Sequence, residues 1–174
     1  VYVVCTGDYH MSEYTSEYFN EREYASGFTG SAGTLVVTRT EAALFTDGRY
    51  HVQAAAELTG TGIQLMKSGC EGVPSVNDYC LSLLKSGDVL GLDGRTVSAS
   101  FGAELEKKAK NKEASVNYEF NAIEKIWQNR PEFPCSQAFH IEAGESVKDK
   151  LTRVREYMKS KSVSVHVLAS LDDI

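Results

Sequence analysis

Two apolar runs of strand length, Thr34–Thr38 and Ala42–Thr46, are separated by only three polar residues, Arg39-Thr40-Glu41. A chain that must reverse within three residues between two such runs is constrained to a β-hairpin. Glycine marks a change of direction on either side of it: Gly27-Phe28-Thr29-Gly30-Ser31-Ala32-Gly33 leads in, and Thr46-Asp47-Gly48-Arg49-Tyr50 leads out. Beyond Tyr50 the pattern changes, because Val52, Ala55, Ala56 and Leu58 can share a helical face while Gln53 and Glu57 point elsewhere, and Gly60-Thr61-Gly62 ends the segment. Asp47-Gly48-Arg49 is therefore predicted at a strand-to-helix turn.

The rest of the chain continues the alternation. Val1–Thr6, Ile63–Met66, Asp88–Leu92 and Ser115–Phe120 read as strands, and Ser98–Lys110 reads as an amphipathic helix. Ser75, with Asp78 three residues on, offers an N-cap before Tyr79, Leu81, Leu83 and Leu84. The predicted class is α/β, a mixed twisted β-sheet flanked by helices over residues 1–130. Pro131 and Pro134 beside Arg130 mark an extended connector, since proline removes a donor and restrains its predecessor. Residues 131–174 are then the linker and truncated start of a second, similar domain: Val147, Leu151, Val154 and Met158 recur at helical spacing in Ser146–Ser160, and Val163–Leu168 begins a new sheet. Trp127, the single tryptophan, suits a packing anchor at the junction. No internal repeat or low-complexity stretch stands out.

Hydrophobic residues make up 42% of the 174 and charged residues 24%, as in a soluble globular protein. With a net charge of −6 and no block of Lys or Arg, the chain lacks the footprint of a nucleic-acid binder. Its longest apolar runs fall far short of the roughly 20 residues that span a bilayer. Cys5, Cys70, Cys80 and Cys135 are too scattered for a Cys-x-x-Cys pair, nothing resembles a signal peptide, and reduced thiols in a cytoplasmic protein are expected. The chain opens in a strand and stops just after Val163–Leu168, so both ends are expected to be cuts in a longer polypeptide.

Few residues invite chemistry. His10, His51, His140 and His166 lack a second ligand at the spacing of a helical zinc motif, so no metal site is assigned. Residues 27–33 fit neither a phosphate loop nor a Gly-x-Ser-x-Gly nucleophile elbow, so no catalytic residue is assigned; they read as a tight turn into a strand, or as a loop at the mouth of a site. Asp8, His10, Ser12, Glu13 and Tyr14 form a polar cluster after the first strand, where open α/β sheets place ligand groups, but loop bonding and capping of a helix near Ser12 is the simpler role for them. The aromatic residues Tyr9, Tyr14, Tyr18, Phe19 and Tyr24 fit a core edge or an interface. Arg49 offers a rigid fork of donors suited to a carboxylate or peptide carbonyl, or it pairs with Asp47 and fixes the turn.

Taken together, Asp8-Tyr9-His10-Met11-Ser12-Glu13-Tyr14, the Gly27–Thr34 block after Ser26, Thr46-Asp47-Gly48-Arg49-Tyr50, Trp127-Gln128-Asn129-Arg130-Pro131 and Ala169-Ser170-Leu171-Asp172-Asp173-Ile174 resemble the N-terminal region of Xaa-Pro aminopeptidases, in the creatinase/prolidase family. The resemblance implies a creatinase/prolidase-type N-terminal domain, complete to about Gln128 apart from a first helix, then the opening of a second. It further implies a parent enzyme removing the N-terminal residue from peptides with proline second. That parent would carry two Mn2+ ions in a C-terminal catalytic domain absent here and commonly form homodimers. Arg49 is the substrate-binding residue so implied, and this chain alone would be inactive. A non-catalytic peptidase-like interaction module and a free-standing small-molecule-binding domain are the alternatives.

Overall fold

The structure is a computed structural model and describes residues 1–12, 14–137, 139, 141 and 144–168. The chain divides into two compact units, Val1–Phe133 and Pro134–Ile174. In the first, strands β1 (Tyr2–Cys5), β2 (Thr34–Val37), β3 (Ala42–Thr46), β4 (Gln64–Lys67), β5 (Val89–Leu92) and β6 (Ser115–Asn117) form one mixed sheet in the order β4-β3-β2-β1-β5-β6. The predicted hairpin is β2–β3, with Leu35 opposite Leu44 and Val36 opposite Ala43. Only β2 is antiparallel to its neighbours; the pairs β3–β4, β1–β5 and β5–β6 are parallel. As a result β3, β1 and β5 all end at the same edge of the sheet.

Strand alternation divides the apolar residues between two faces. Val3, Val36, Ala43, Phe45, Leu90 and Leu92 meet Cys80 and Leu81 of α3 (Val76–Leu83) and Leu105 and Ala109 of α4 (Ala99–Lys110). Val4, Leu35 and Leu44 face the other way, against Phe28, Ala54 and Leu58, with Ile123 of α5 (Ile123–Ile126). Each fully buried Leu or Phe contributes roughly 1.5–3 kcal/mol. The expected cap forms, Ser75 Oγ accepting from Asp78 N, and Ser98 Oγ likewise accepts from Phe101 N, each stabilising its helix by about 1 kcal/mol.

Four expectations are corrected. In α2 (His51–Glu57) the inward residue is Ala54, followed at the C-cap by Leu58, whereas Val52 is 87% exposed and Ala55 and Ala56 face solvent. No helix starts near Ser12: Asp8 Oδ1 captures the amides of His10 and Ser12, Met11 takes a positive φ, and α1 waits until Glu21–Ser26, after a 3-10 turn at Glu17–Phe19. Strand β6 stops at Asn117, because Asn117 Oδ1 accepts from Glu119 N while Tyr118 O accepts from Gly94 N, which bends the chain off the sheet. In the second unit, α6 (Val147–Ser160) is capped by Ser146, but Val163–Leu168 joins no ladder among the described residues, since a strand needs a paired neighbour. Ala169–Ile174, Glu13 and His140 lie outside the described residues.

Part of the aromatic segment after β1 forms a ring cluster of its own. Tyr9, Tyr18, Phe19 and Phe133 pack ring against ring with centroids 4.9–6.0 Å apart, while Tyr14 is 88% exposed. Trp127 stacks on Tyr24 at 4.6 Å, as a packing anchor should. Arg130 is tied back to α1 by a 2.5 Å pair with Glu21 and donates to Tyr18 O.

All four cysteines are free. Cys80 is buried and Cys5 packs against the same cluster, and burial pushes their thiols up to about 12 and about 11. Below those values the reactive thiolate is scarce. At pH 8, therefore, an aromatic disulfide reagent should modify the exposed Cys70 and Cys135 quickly and the other two only after denaturation. A third fast-reacting thiol in the folded protein would contradict this packing.

Candidate functional site

The shared edge at the ends of β1 and β3 is where loop residues converge, as ligand-binding loops do in open α/β sheets. The turn after β3 is built by its own side chains. Asp47 Oδ1 accepts from Arg49 N at 3.0 Å and from Nε at 2.9 Å, while Oδ2 accepts from Nη2 at 2.8 Å. These bonds from Arg49 hold the Asp47 carboxyl down to about 2. The pair fixes the turn, as one reading of Arg49 expects, and the arginine side chain stays 62% exposed. Its guanidinium also lies 5.3 Å from the centre of the Tyr50 ring.

The Gly27–Gly33 loop is locked against this turn from three sides. Tyr50 OH and Ser31 Oγ are 2.6 Å apart, and Thr46 Oγ1 donates to Ala32 O at 2.7 Å. Thr29 is clasped by α2, its N–H and hydroxyl donating to Glu57 and its hydroxyl accepting from Gln53 Nε2. From below, the buried Arg22 donates through Nε to Thr6 Oγ1 at 2.7 Å, through Nη1 to Phe28 O at 2.8 Å, and through Nη2 to Gly30 O. Gly30 is required for this approach, since a Cβ there would overlap the Phe28 and Tyr50 rings. Gln53, Glu57 and Arg22 are missed by sequence reasoning. The two α2 residues were available as an i, i+4 polar pair; Arg22, inside Glu21-Arg22-Glu23, looks like a solvated charge run and carries no signal.

Asp8 is buried; burial would raise its carboxyl, but the amides of Ser12 and His10 outweigh this and hold it below the ordinary range. It is therefore an ionised loop anchor, and His10 is exposed beside it. What the loop contributes is Ser12. Thr6, Ser12, Ser31, Gly33 and Arg49 line one cleft of about 500 Å3. Thr34 lines it too, and four hydroxyls and a guanidinium around a cleft can hydrogen-bond carbonyl or carboxylate oxygens; among its described lining residues no nucleophile sits beside a base. Among the described residues no group of three or more His, Cys, Asp or Glu could hold a metal ion.

The family model for the creatinase/prolidase N-terminal domain matches residues 11–123, which include this whole cleft except Thr6. The chain belongs to that family. As a creatinase/prolidase N-terminal domain it is 37% identical to aminopeptidase P2 of Arabidopsis thaliana, over 99% of this chain and 25% of the relative. It is 36% identical to a probable Xaa-Pro aminopeptidase P of Penicillium rubens, over 100% of this chain and 29% of the relative. Among solved structures, the X-prolyl aminopeptidase of Caenorhabditis elegans, described as a cytosolic enzyme with a di-nuclear active site, superposes with a TM-score of 0.83 at 31% identity, covering 99% of this chain and 29% of that one. The chain thus spans a quarter to three tenths of the length of these relatives. No helix among the described residues is long and apolar enough to cross a membrane.

Proposed function

We propose that this chain is the amino-terminal part of a metal-dependent Xaa-Pro aminopeptidase, an enzyme that removes the first residue from peptides whose second residue is proline. The observation that carries this reading is similarity, along the whole of this chain, to part of Xaa-Pro aminopeptidases, together with an exposed arginine held rigidly beside a hydroxyl-lined cleft. The side chains described here do not fit a metal pair. The two ions, manganese in this reading, belong to a C-terminal catalytic domain of the same polypeptide, and this domain's part is to wall the substrate entrance and present Arg49 to the peptide. Residues 131–174 open a second domain of similar type, and the parent is a cytoplasmic homodimer.

Arg49 offers a charge-assisted bond whose removal costs roughly 1.5–3 kcal/mol, or on the order of 10–100-fold in rate. In the full-length enzyme with Mn2+, Arg49→Ala should lower kcat/KM for Arg-Pro-Pro by that factor, with Arg49→Lys restoring only part of it, because lysine lacks the fork. Unchanged kcat and KM in Arg49→Ala would remove the substrate-binding role. No release of arginine by the wild type under any divalent metal would favour a non-catalytic interaction module.

A further inference from the structure

The sequence contains a second Asp-Gly-Arg tripeptide directly after a strand, Asp93-Gly94-Arg95 following β5. Its geometry repeats that of the first. Asp93 Oδ1 accepts from Arg95 N at 3.0 Å and Nε at 2.9 Å, and Oδ2 from Nη2 at 2.7 Å, against 3.0, 2.9 and 2.8 Å at Arg49. The two turns stand on one edge of the sheet, because β3 and β5 run parallel with β2 and β1 between them. Three strand spacings of about 4.8 Å place them about 14 Å apart, the span of roughly four extended residues.

Arg95 is held ready to bind. Its side chain is 54% exposed while that of Asp93 is only 9% exposed, and Asp93 is itself fixed by Asn121 Nδ2 at 3.2 Å. The guanidinium lies 5.0 Å from the Tyr9 ring centre, and no acceptor among the described residues takes Nη1. It faces two clefts, of about 710 and 510 Å3. In the larger, the exposed Phe120 and Ile126 put apolar surface beside it; Glu119, Glu124 and Lys125 share that lining, leaving Arg95 as the fork-shaped donor there. Between the two turns the backbones pack closely: Gly7, next to Thr6 of the first cleft, comes so near Thr96 that an added Cβ would lie 3.2 Å from its carbonyl.

Building on the aminopeptidase reading, we propose that Arg95 is a second peptide anchor, binding the C-terminal carboxylate of a peptide about four residues beyond the part held at Arg49, with the terminal side chain on Phe120 and Ile126. The test uses full-length enzyme and Arg-Pro-(Ala)n peptides with n from 1 to 6, each as free acid and as C-terminal amide. In the wild type, KM should fall once the peptide spans both arginines, and amidation should reverse the gain. Arg95→Ala should remove that gain, about 5–30-fold in KM with kcat unchanged, leave Arg-Pro-Ala unaffected, and be partly rescued by Arg95→Lys. Equal KM increases at every length would mean a structural role and overturn the proposal, as would length and amide dependence that survives Arg95→Ala. Calorimetric titration of metal-stripped protein with the same peptides reads the contact without turnover. Absence of hydrolysis with length-dependent, Arg95-dependent binding would overturn only the aminopeptidase reading.

Discussion

Phe28→Ala is expected to lower the stability of the first unit by about 3–5 kcal/mol, the usual range for deleting a fully enclosed aromatic ring. Phe28 is 0% exposed, although it belongs to a loop whose neighbours Gly27 and Thr29 face solvent. Its ring joins the cluster of Val4, Leu35, Leu44 and Ala54, meets Tyr50 edge-on at 5.9 Å, and carries the Arg22 guanidinium at 4.8 Å. The cavity left by alanine could not collapse easily, because strands close it on one side and α2 on the other. Against a total stability of roughly 5–15 kcal/mol, the loss is a large fraction. In urea the midpoint should fall by on the order of 2 M with little change in slope. A shift below about 0.5 M would mean that the loop is not pinned through this ring.

Arg22→Met should come second, at about 2–4 kcal/mol, for a different reason. Methionine replaces much of the buried volume, so the loss reads out the polar contacts: Phe28 O and Gly30 O are left without their donor, and each orphaned buried group costs about 1–3 kcal/mol. Thr6 Oγ1 is partly spared because it also donates to Gly33 O. Arg22→Lys should recover little, since a single ammonium cannot reach three acceptors spread over a fork. Thermal melts of the two variants decide it; a lysine variant as stable as wild type would show that charge rather than fork geometry holds the loop.

The sheet was largely legible because its strands carry β-branched or leucine-rich runs bounded by turn residues, and α3, α4 and α6 because serine sits at each start with its hydroxyl on the third amide. The face of α2 was not. In seven residues with three alanines either side is apolar, and only the position of the helix over β2 and β3 decides that Ala54 goes in while Val52 stays out. At the site, Arg49 was readable as a residue type at a strand end, but its setting was not: Thr6, Ser12 and Ser31 reach it only because β1 and β3 end at one edge. Arg95 carried the same signal as Arg49, an Asp-Gly-Arg tripeptide after an apolar strand, too short to stand out as a repeat.

The one reversed strand, β2, also sorts the connections by length. Both of its neighbours run the opposite way, so the long path from β1 into it, through α1 and the glycine loop, starts and ends at the arginine edge. At the far edge the chain needs only short turns, around Thr40, Gly60-Thr61-Gly62, Ser86-Gly87 and Asn111-Lys112-Glu113, most of them exposed. One rim thus carries only short turns, while the other carries the long loops and both Asp-Gly-Arg turns. Insertions, epitope tags and crystallisation handles belong on the first, where the chain can lengthen without moving either guanidinium.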